Sequence, residues 1–133
     1  MLFIYNLSIF TGISILICAS GLSNIVMAAD FTINSAQTTK NGGNTLDGSD
    51  MITVTTTGSI SITSGSGIET SGDYNTVLVN GSISTTGRNR HGVVNKDNNN
   101  ATTLTGSLTT SGAGSFGITN QGDNKHLGLN WTF

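Results

Sequence analysis

A short motif recurs along the chain, and it constrains the fold more than any other feature. The motif is Gly-Ser-aliphatic, and it begins at Gly58, Gly81 and Gly106, so the steps are 23 and 25 residues. Self-similarity at a period of about 20 to 50 residues is the signature of repeat architectures such as solenoids. The spacing therefore predicts stacked, nearly equal units.

Longer segments align around this motif. Residues 67–80, 82–95 and 107–120 each read aliphatic, then Thr or Ser, then Gly four positions after the aliphatic residue. A second aliphatic residue follows in each segment, and Asn closes it. We interpret the three segments as equivalent units, with an earlier related unit beginning at Gly58.

Short alternating runs lie between turn signals. Residues 52–54 (Ile-Thr-Val) and 60–62 (Ile-Ser-Ile) alternate, which sends every second side chain to the same face of a strand. Asp-Gly at 47–48 and Asn-Gly at 80–81 supply turns. One such unit cannot bury its aliphatic residues alone, whereas stacked units bury them in a column. We predict an all-β fold, a right-handed parallel β-helix or solenoid of about four short coils, preceded by an N-terminal signal helix.

Composition agrees with β structure. Charged residues make up 9% of the chain, there are 18 Gly and no Pro, and Gly and short hydroxyl residues are poor helix formers. The net charge of −2 and the many Val, Ile and Thr residues are atypical of disorder. A sandwich of hairpins is the alternative, but hairpins do not require the same aliphatic-to-Gly spacing in each unit. The Asn-rich run 95–101 is predicted to be a loop that protrudes from one coil.

The N-terminal segment indicates export. Residues 1–19 are mostly apolar, and Val26 and Ala28 form the pair that a signal peptidase accepts. We therefore predict a signal peptide over residues 1–28. Because no Lys or Arg precedes the apolar run, a retained anchor is the alternative, although polar residues interrupt the roughly 20 apolar residues that a spanning helix needs. Cleavage would remove Cys18, the only cysteine, and with it any thiol chemistry.

The repeats resemble those of bacterial autotransporter passengers, which belong to type V secretion. The resemblance covers roughly residues 47–121 and is carried by segments 81–93 and 106–118, which read Gly-Ser-Ile-Ser-Thr-Thr-Gly-Arg-Asn-Arg-His-Gly-Val and Gly-Ser-Leu-Thr-Thr-Ser-Gly-Ala-Gly-Ser-Phe-Gly-Ile. It implies an exported protein of the periplasm, outer membrane or cell surface of a Gram-negative bacterium, or a secreted one. It also implies a structural or adhesive role. The implied partners are the outer-membrane or secretion machinery and a host or neighbouring cell surface.

The chain departs from the family in length. A passenger is usually much longer and precedes an outer-membrane barrel, whose strands take about 9–11 residues each. The resemblance therefore indicates a truncated or internally deleted passenger, with the solenoid at residues 29–125. Residues 126–133 alternate apolar and other side chains, and two interpretations are open: a final solenoid strand, or a remnant of a barrel strand.

Letter patterns for enzyme sites lack their structural context. Residues 112–117 match Gly-x-Gly-x-x-Gly, but no helix is predicted after them and no acidic residue lies about 20 positions on. Ser115 in the same run approaches the nucleophile-elbow pattern, which also needs a helix. His91 is predicted to be a solvated loop residue, far in sequence from His126. We predict no catalytic residue and no cofactor.

The acidic residues offer little chemistry. Residues 42–47 partly match a calcium nonapeptide, so Asp47 and Asp50 are candidates for weak calcium binding, and a polar turn is the alternative. Paired carboxylates mark polysaccharide enzymes, but no two adjacent coils place acids at matching positions. The acids after the predicted signal peptide are Asp30, Asp47, Asp50, Glu69, Asp73, Asp97 and Asp123.

The function class follows from these patterns. We predict a protein that is not an enzyme and has no metal site, with a minimal β-helical polysaccharide-active enzyme and a degenerate, non-functional remnant as alternatives. Five Lys and Arg residues are too few for a phosphate-binding face, so nucleic acid is excluded as a partner. Open solenoid edges predict marginal stability or self-association.

Overall fold

Twelve short strands and one 3-10 helix, Lys40–Gly43, make up the part of the chain that the structure, a computed structural model, describes: residues 27–130. Nearly all of the predicted signal peptide lies outside these residues, as do Trp131 and Phe133. The strands are β1 (Asp30–Ile33), β2 (Ala36–Gln37), β3 (Met51–Val54), β4 (Ser59–Ile62), β5 (Ile68–Thr70), β6 (Thr76–Val79), β7 (Ser82–Thr86), β8 (Val93–Asn95), β9 (Ala101–Leu104), β10 (Ser107–Ser111), β11 (Ile118–Asn120) and β12 (His126–Leu129).

The strands form three parallel sheets, and each full coil contributes one strand to each sheet. Sheet A has the order β1-β3-β6-β9-β12, sheet B the order β2-β4-β7-β10, and sheet C the order β5-β8-β11. Each of these pairings is parallel, whereas hairpins would make antiparallel pairs. The predicted all-β parallel solenoid of about four turns is confirmed, and the hairpin sandwich is wrong.

Three columns of turns connect the sheets, and we name them by the sheets that they join. Corner AB comprises residues 34–35, 55–58, 80–81 and 105–106. Corner BC comprises residues 63–67, 87–92 and 112–117. Corner CA comprises residues 44–50, 71–75, 96–100 and 121–125.

The coil length is 25 residues from β3 onward. Thr76 pairs with Ala101 in sheet A, and Val93 pairs with Ile118 in sheet C. The 23-residue step appears only in sheet B, where Ser59 pairs with Ser82. Corner AB of the second coil is two residues longer than that of the third, and the path from sheet B to sheet C is two residues shorter. The two changes cancel, so sheets A and C keep a constant step.

The predicted alignment of residues 67–80 with 82–95 is wrong. Ile68 lies in sheet C and pairs with Val93, whereas Ile83 pairs with Ile60 and Leu108 in sheet B. An aliphatic residue followed by a glycine turn occurs in successive strands of one coil as well as in successive coils. That spacing therefore cannot identify equivalent strands, whereas the Gly-Ser-aliphatic motif of corner AB does.

The core is a column of inward-facing aliphatic side chains. Alternation along each strand sends one set of residues inward, and parallel pairing stacks each on its equivalent in the next coil, about 4.8 Å away. Ile52 and Val77 form one such pair, and Val54 and Val79 another. The buried members of the core are Ile33, Leu46, Ile52, Val54, Ile60, Ile62, Ile68, Val77, Val79, Ile83 and Val93.

The two ends of the described solenoid differ. At the N-terminal end the backbone N–H of Asn41 donates to the carbonyl of Gly67 (2.9 Å), and its side chain bonds both the N–H (2.7 Å) and the carbonyl (2.9 Å) of Glu69. Asn41 thus occupies the free edge of β5 as a neighbouring strand would. At the C-terminal end Leu127 and Leu129 of β12 remain 42% and 43% exposed.

The Asn-rich run does not protrude. Residues 96–100 form a five-residue turn of corner CA, the same length as turns 71–75 and 121–125. Asn100 is fully buried there, and its side-chain amide donates to the carbonyls of Gly72 and Lys96. The predicted loop is therefore wrong, because the asparagine bonds backbone groups that a longer loop would leave to solvent.

Residues 126–129 form β12, which pairs in parallel with β9 of the preceding coil. Leu127 aligns with Thr102, and Leu129 aligns with Leu104. Trp131 and Phe133, on which the barrel interpretation also depends, lie outside the described residues. Within residues 27–130 no helix has the length and apolarity needed to cross a bilayer.

Candidate functional site: the cationic and aromatic corner

Asp50, a candidate calcium ligand in the sequence, is a buried anchor of the first turn in corner CA. Its carboxylate accepts hydrogen bonds from the backbone N–H groups of Ala29 (2.8 Å), Asp47 (2.8 Å) and Gly48 (3.3 Å). Asp47 contributes its backbone to this turn, and its side chain is exposed. The geometry is that of the polar turn. Among the described residues no three His, Cys, Asp or Glu side chains form a group that could hold a metal ion.

A buried ladder of side chains continues from Asp50 along corner CA. The backbone N–H of Asp50 donates to Oδ1 of Asn75 (3.1 Å), and that of Asn75 donates to Oδ1 of Asn100 (2.6 Å). The amide of Asn75 also donates to the carbonyls of Ser71 and Gly72, both at 3.0 Å. Buried polar groups are costly unless they are hydrogen-bonded. The ladder therefore holds successive turns in register.

The remaining acids of corner CA also bond the backbone of a neighbouring coil. The N–H of Asn98 donates to Asp73 (2.7 Å), and that of Gly72 donates to Asp97 (2.8 Å). In the 25-residue register Asp73 aligns with Asn98, and Asp97 aligns with Gly122, so these carboxylates do not form pairs across adjacent coils. The arrangement differs from the paired carboxylates of glycosidases.

Glu69 lies on the outer side of sheet C between two lysines. Its Oε1 lies 2.6 Å from Nζ of Lys96 and 3.4 Å from Nζ of Lys40. Partial burial by itself raises the pKa of Glu69, but the hydrogen bond from Lys96 and the charges of both lysines outweigh burial and hold the pKa below its usual value. The three residues come from three successive coils, so this ion-pair group links coils.

The glycine-rich run 112–117 forms the turn between β10 and β11, two strands, and so has no helix for a dinucleotide site or a nucleophile elbow. Oγ of Ser115 donates to the carbonyl of Gly87 (3.1 Å) and accepts from the N–H of Arg90 (3.0 Å). Ser115 therefore connects two coils and is not positioned beside a base. His126 lies in β12 of sheet A, whereas His91 lies in corner BC.

Corner BC brings together the cationic and aromatic side chains that lie outside the strands of the last two coils. Both arginines of the chain, Arg88 and Arg90, are there and are exposed. The ring of His91 stacks on that of Phe116, with centroids 5.6 Å apart and planes inclined by 15°. Phe116 is 61% exposed. We call these four residues the corner BC patch.

His91 was predicted to be a solvated loop residue, and the structure places it in a loop but only partly exposed. Its Nδ1 accepts a hydrogen bond from the backbone N–H of Phe116 at 3.1 Å. The ring stack and this bond together fix the imidazole against the next coil. The sequence carries a signal for this contact, because His91 and Phe116 are 25 residues apart and equivalent in the repeat, but pairing them as a surface needs the register.

Backbone hydrogen bonds hold the patch in one arrangement. The N–H of Gly87 donates to Ser111 (2.9 Å), that of Asn89 donates to Ala113 (3.0 Å), and that of Gly92 donates to Phe116 (3.0 Å). Turns 87–92 and 112–117 are therefore joined along their length. A surface that is ordered before binding loses less conformational entropy when a ligand arrives.

An uncharged hydroxyl surface borders the patch. The outward positions of sheet B carry Ser or Thr in three successive coils, and β7 and β10 lead directly into corner BC. No acidic side chain lies in these strands or in turns 87–92 and 112–117. The outward residues are Ser59, Ser61, Ser82, Ser84, Thr86, Ser107, Thr109 and Ser111.

The fold and this patch stand without a relative to compare them with. No protein-family model matches the chain, and no curated protein or solved structure matches it.

Proposed function

We propose that the protein is a non-catalytic exported surface protein, part of an autotransporter passenger, with an adhesive or structural role. One observation carries the proposal: a solenoid of about four parallel turns presents a rigid, exposed cationic and aromatic corner. The fold agrees with what the repeat resemblance implies. Signal residues 1–28, export to the periplasm, outer membrane, cell surface or medium, and contact with the secretion machinery are parts of the same proposal.

The absence of catalysis is part of the proposal and is supported by how the acids are used. The carboxylates of Asp50, Asp73 and Asp97 accept backbone hydrogen bonds, and Glu69 pairs with two lysines. A general acid or base must instead reach a proton of the substrate. The proposed partner is a host or neighbouring cell surface, contacted through side chains that the solenoid holds in place.

The test is the location of the full-length chain in a Gram-negative host. An epitope tag is placed in the exposed turn 63–67, and intact cells are treated with protease or labelled with antibody. We expect the wild-type chain to be accessible from outside. Leu16→Arg, which puts a charge in the predicted signal segment, is the matched control and should keep the chain inside.

Two results contradict the proposal. One is a wild-type chain found only in the cytoplasm at the same level as Leu16→Arg. The other is hydrolysis of a polysaccharide by the purified protein that is lost on substitution of an acidic residue, which would favour the glycan-active enzyme.

A further inference from the structure

We propose that the corner BC patch binds acidic saccharides, that is, sugars that carry a carboxylate or a sulfate group. The proposal rests on the adhesive role proposed above and specifies the ligand of the same surface. It depends on three features that meet at this corner: unpaired guanidinium groups, an open aromatic face and a hydroxyl-rich sheet.

The arginines provide the anion-binding element. Within the described residues neither Arg88 nor Arg90 forms an ion pair, since the ion pairs there involve Lys40, Lys96 and Glu69. In the next coil their positions are taken by Ala113 and Ser115, whose short side chains leave room for a ligand beside the guanidinium groups.

A guanidinium group presents a planar set of donors that matches a carboxylate or a sulfate in two parallel hydrogen bonds. No acidic side chain in corner BC competes for these donors. The bound group is therefore expected to be an anion with two oxygens in one plane.

The aromatic stack provides the sugar-binding element. His91 belongs to the third coil and Phe116 to the fourth, so the stack runs along the solenoid axis. The face of Phe116 that is turned away from His91 points toward the C-terminal end, where the described chain adds no further corner BC turn. A pyranose ring has an apolar C–H face that can lie flat on such an exposed ring, as the next member of the stack.

The neighbouring surface favours a saccharide over a peptide. The outward face of β7 and β10 offers Ser and Thr hydroxyl groups, each a donor and an acceptor. It has no pocket for an apolar side chain, since Ile83 and Thr85 point inward and are buried. Rows of uncharged donors and acceptors match a polyhydroxylated chain that extends from the corner across the sheet.

The test is calorimetric titration of the full-length chain with polygalacturonate, a polymer of acidic sugars. Fully methyl-esterified polygalacturonate is the matched ligand, because it has the same sugar rings with the carboxylates masked. We expect binding of polygalacturonate that weakens with added salt, and at least about tenfold weaker binding of the ester, since hydrogen bonds to charged groups contribute strongly.

Variants identify the surface. Arg88→Gln with Arg90→Gln should weaken binding of polygalacturonate about tenfold or more, and Phe116→Ser should weaken binding of both polymers. Lys125→Gln removes a cation from corner CA and should leave binding unchanged. Far-ultraviolet circular dichroism of each variant checks that the solenoid is intact.

Three results overturn the ligand assignment: equal affinity for the ester, wild-type affinity in a folded Arg88→Gln, Arg90→Gln variant, or equally tight binding of poly-glutamate. These results are distinguishable from failure of the proposed function. A chain that is displayed on intact cells but binds no acidic saccharide refutes this inference alone, whereas a cytoplasmic chain refutes the proposed function.

Discussion

Left-handed backbone recurs at one position of corner CA in every coil. The residues there are Ser49 (φ 59°), Tyr74 (φ 64°), Asn99 (φ 58°) and Asn124 (φ 50°). Asn tolerates this region because its side chain bonds locally, whereas a bulky residue is strained in it. The position therefore reads, from coil to coil, as a test of how well each residue fits the same turn.

Tyr74 is the poorest fit, and Tyr74→Asn should stabilise the protein. The tyrosine ring is 64% exposed, so its replacement removes little packing. Relief of the left-handed strain should raise the free energy of unfolding by about 1 kcal/mol. Urea denaturation followed by circular dichroism measures the change. Tyr74→Phe keeps the strain and should match the wild type, and a Tyr74→Asn protein no more stable than Tyr74→Phe would contradict the argument.

Glu69 gives a second residue-scale prediction, in its pH dependence. Because its pKa is lowered in the folded protein, ionised Glu69 stabilises the fold above the unfolded pKa of about 4.5. This stabilisation is lost as the pH falls through the folded pKa. The stability difference between wild type and Glu69→Gln should be constant above about pH 5 and shrink below it. Denaturation at a series of pH values measures this difference, and one that persists unchanged at pH 3 would contradict the ion-pair interpretation.

At the scale of elements, corner AB sets how closely successive coils approach. Gly58, Gly81 and Gly106 stack in this corner, and a side chain on any of them would overlap a carbonyl of the coil before it. For Gly81 the overlapped carbonyls are those of Thr55 and Gly58. Backbone atoms in two sheets would have to move to relieve the overlap. The Gly-Ser-aliphatic motif is thus a steric requirement of stacked turns.

Gly81→Ala should therefore destabilise the solenoid by about 3 kcal/mol. Gly128→Ala is the control, since its added Cβ would lie 3.3 Å from the Oγ1 atom of Thr103, a side chain that can move. Thermal unfolding of both variants gives the comparison. Equal melting temperatures for the two variants would show that corner AB is less tightly packed than the structure indicates.

At the scale of the whole molecule, the described solenoid is closed at one end and open at the other. The N-terminal end has Asn41 on the edge of sheet C and the buried side chains of Ile33 and Leu46. The C-terminal end presents the strand edges of the last coil and the exposed Leu127 and Leu129. Unpaired edges and exposed apolar residues both favour association between chains. Association is therefore expected through the C-terminal end.

Sedimentation of the full-length chain tests this asymmetry. We expect the average mass to rise with protein concentration, and Leu129→Lys to shift association to several-fold higher concentration by placing a charge on the open end. Thr32→Lys, an exposed position in β1 at the other end, is the control and should associate as the wild type does. A wild-type chain that stays monomeric at every concentration would contradict the prediction.

The sequence alone was sufficient for the architecture. The repeat of Gly-Ser-aliphatic, the alternation of strand residues and the turn dipeptides together predict stacked coils, because each of these patterns reflects a local requirement of a strand or a turn. It was not sufficient for the register, as the mistaken alignment of residues 67–80 shows. Consecutive strands of one coil share the same aliphatic-to-glycine spacing, and local chemistry cannot distinguish them.

Only the tertiary structure decided what the polar residues do. Asp50 is a buried anchor and Asn100 a buried rung because parallel stacking brings the backbone of a neighbouring coil against their side chains. The same stacking places His91 on Phe116 and leaves both arginines unpaired at corner BC. Contacts between residues 25 positions apart depend on the exact length of every intervening turn, and they form only when the coils are in register.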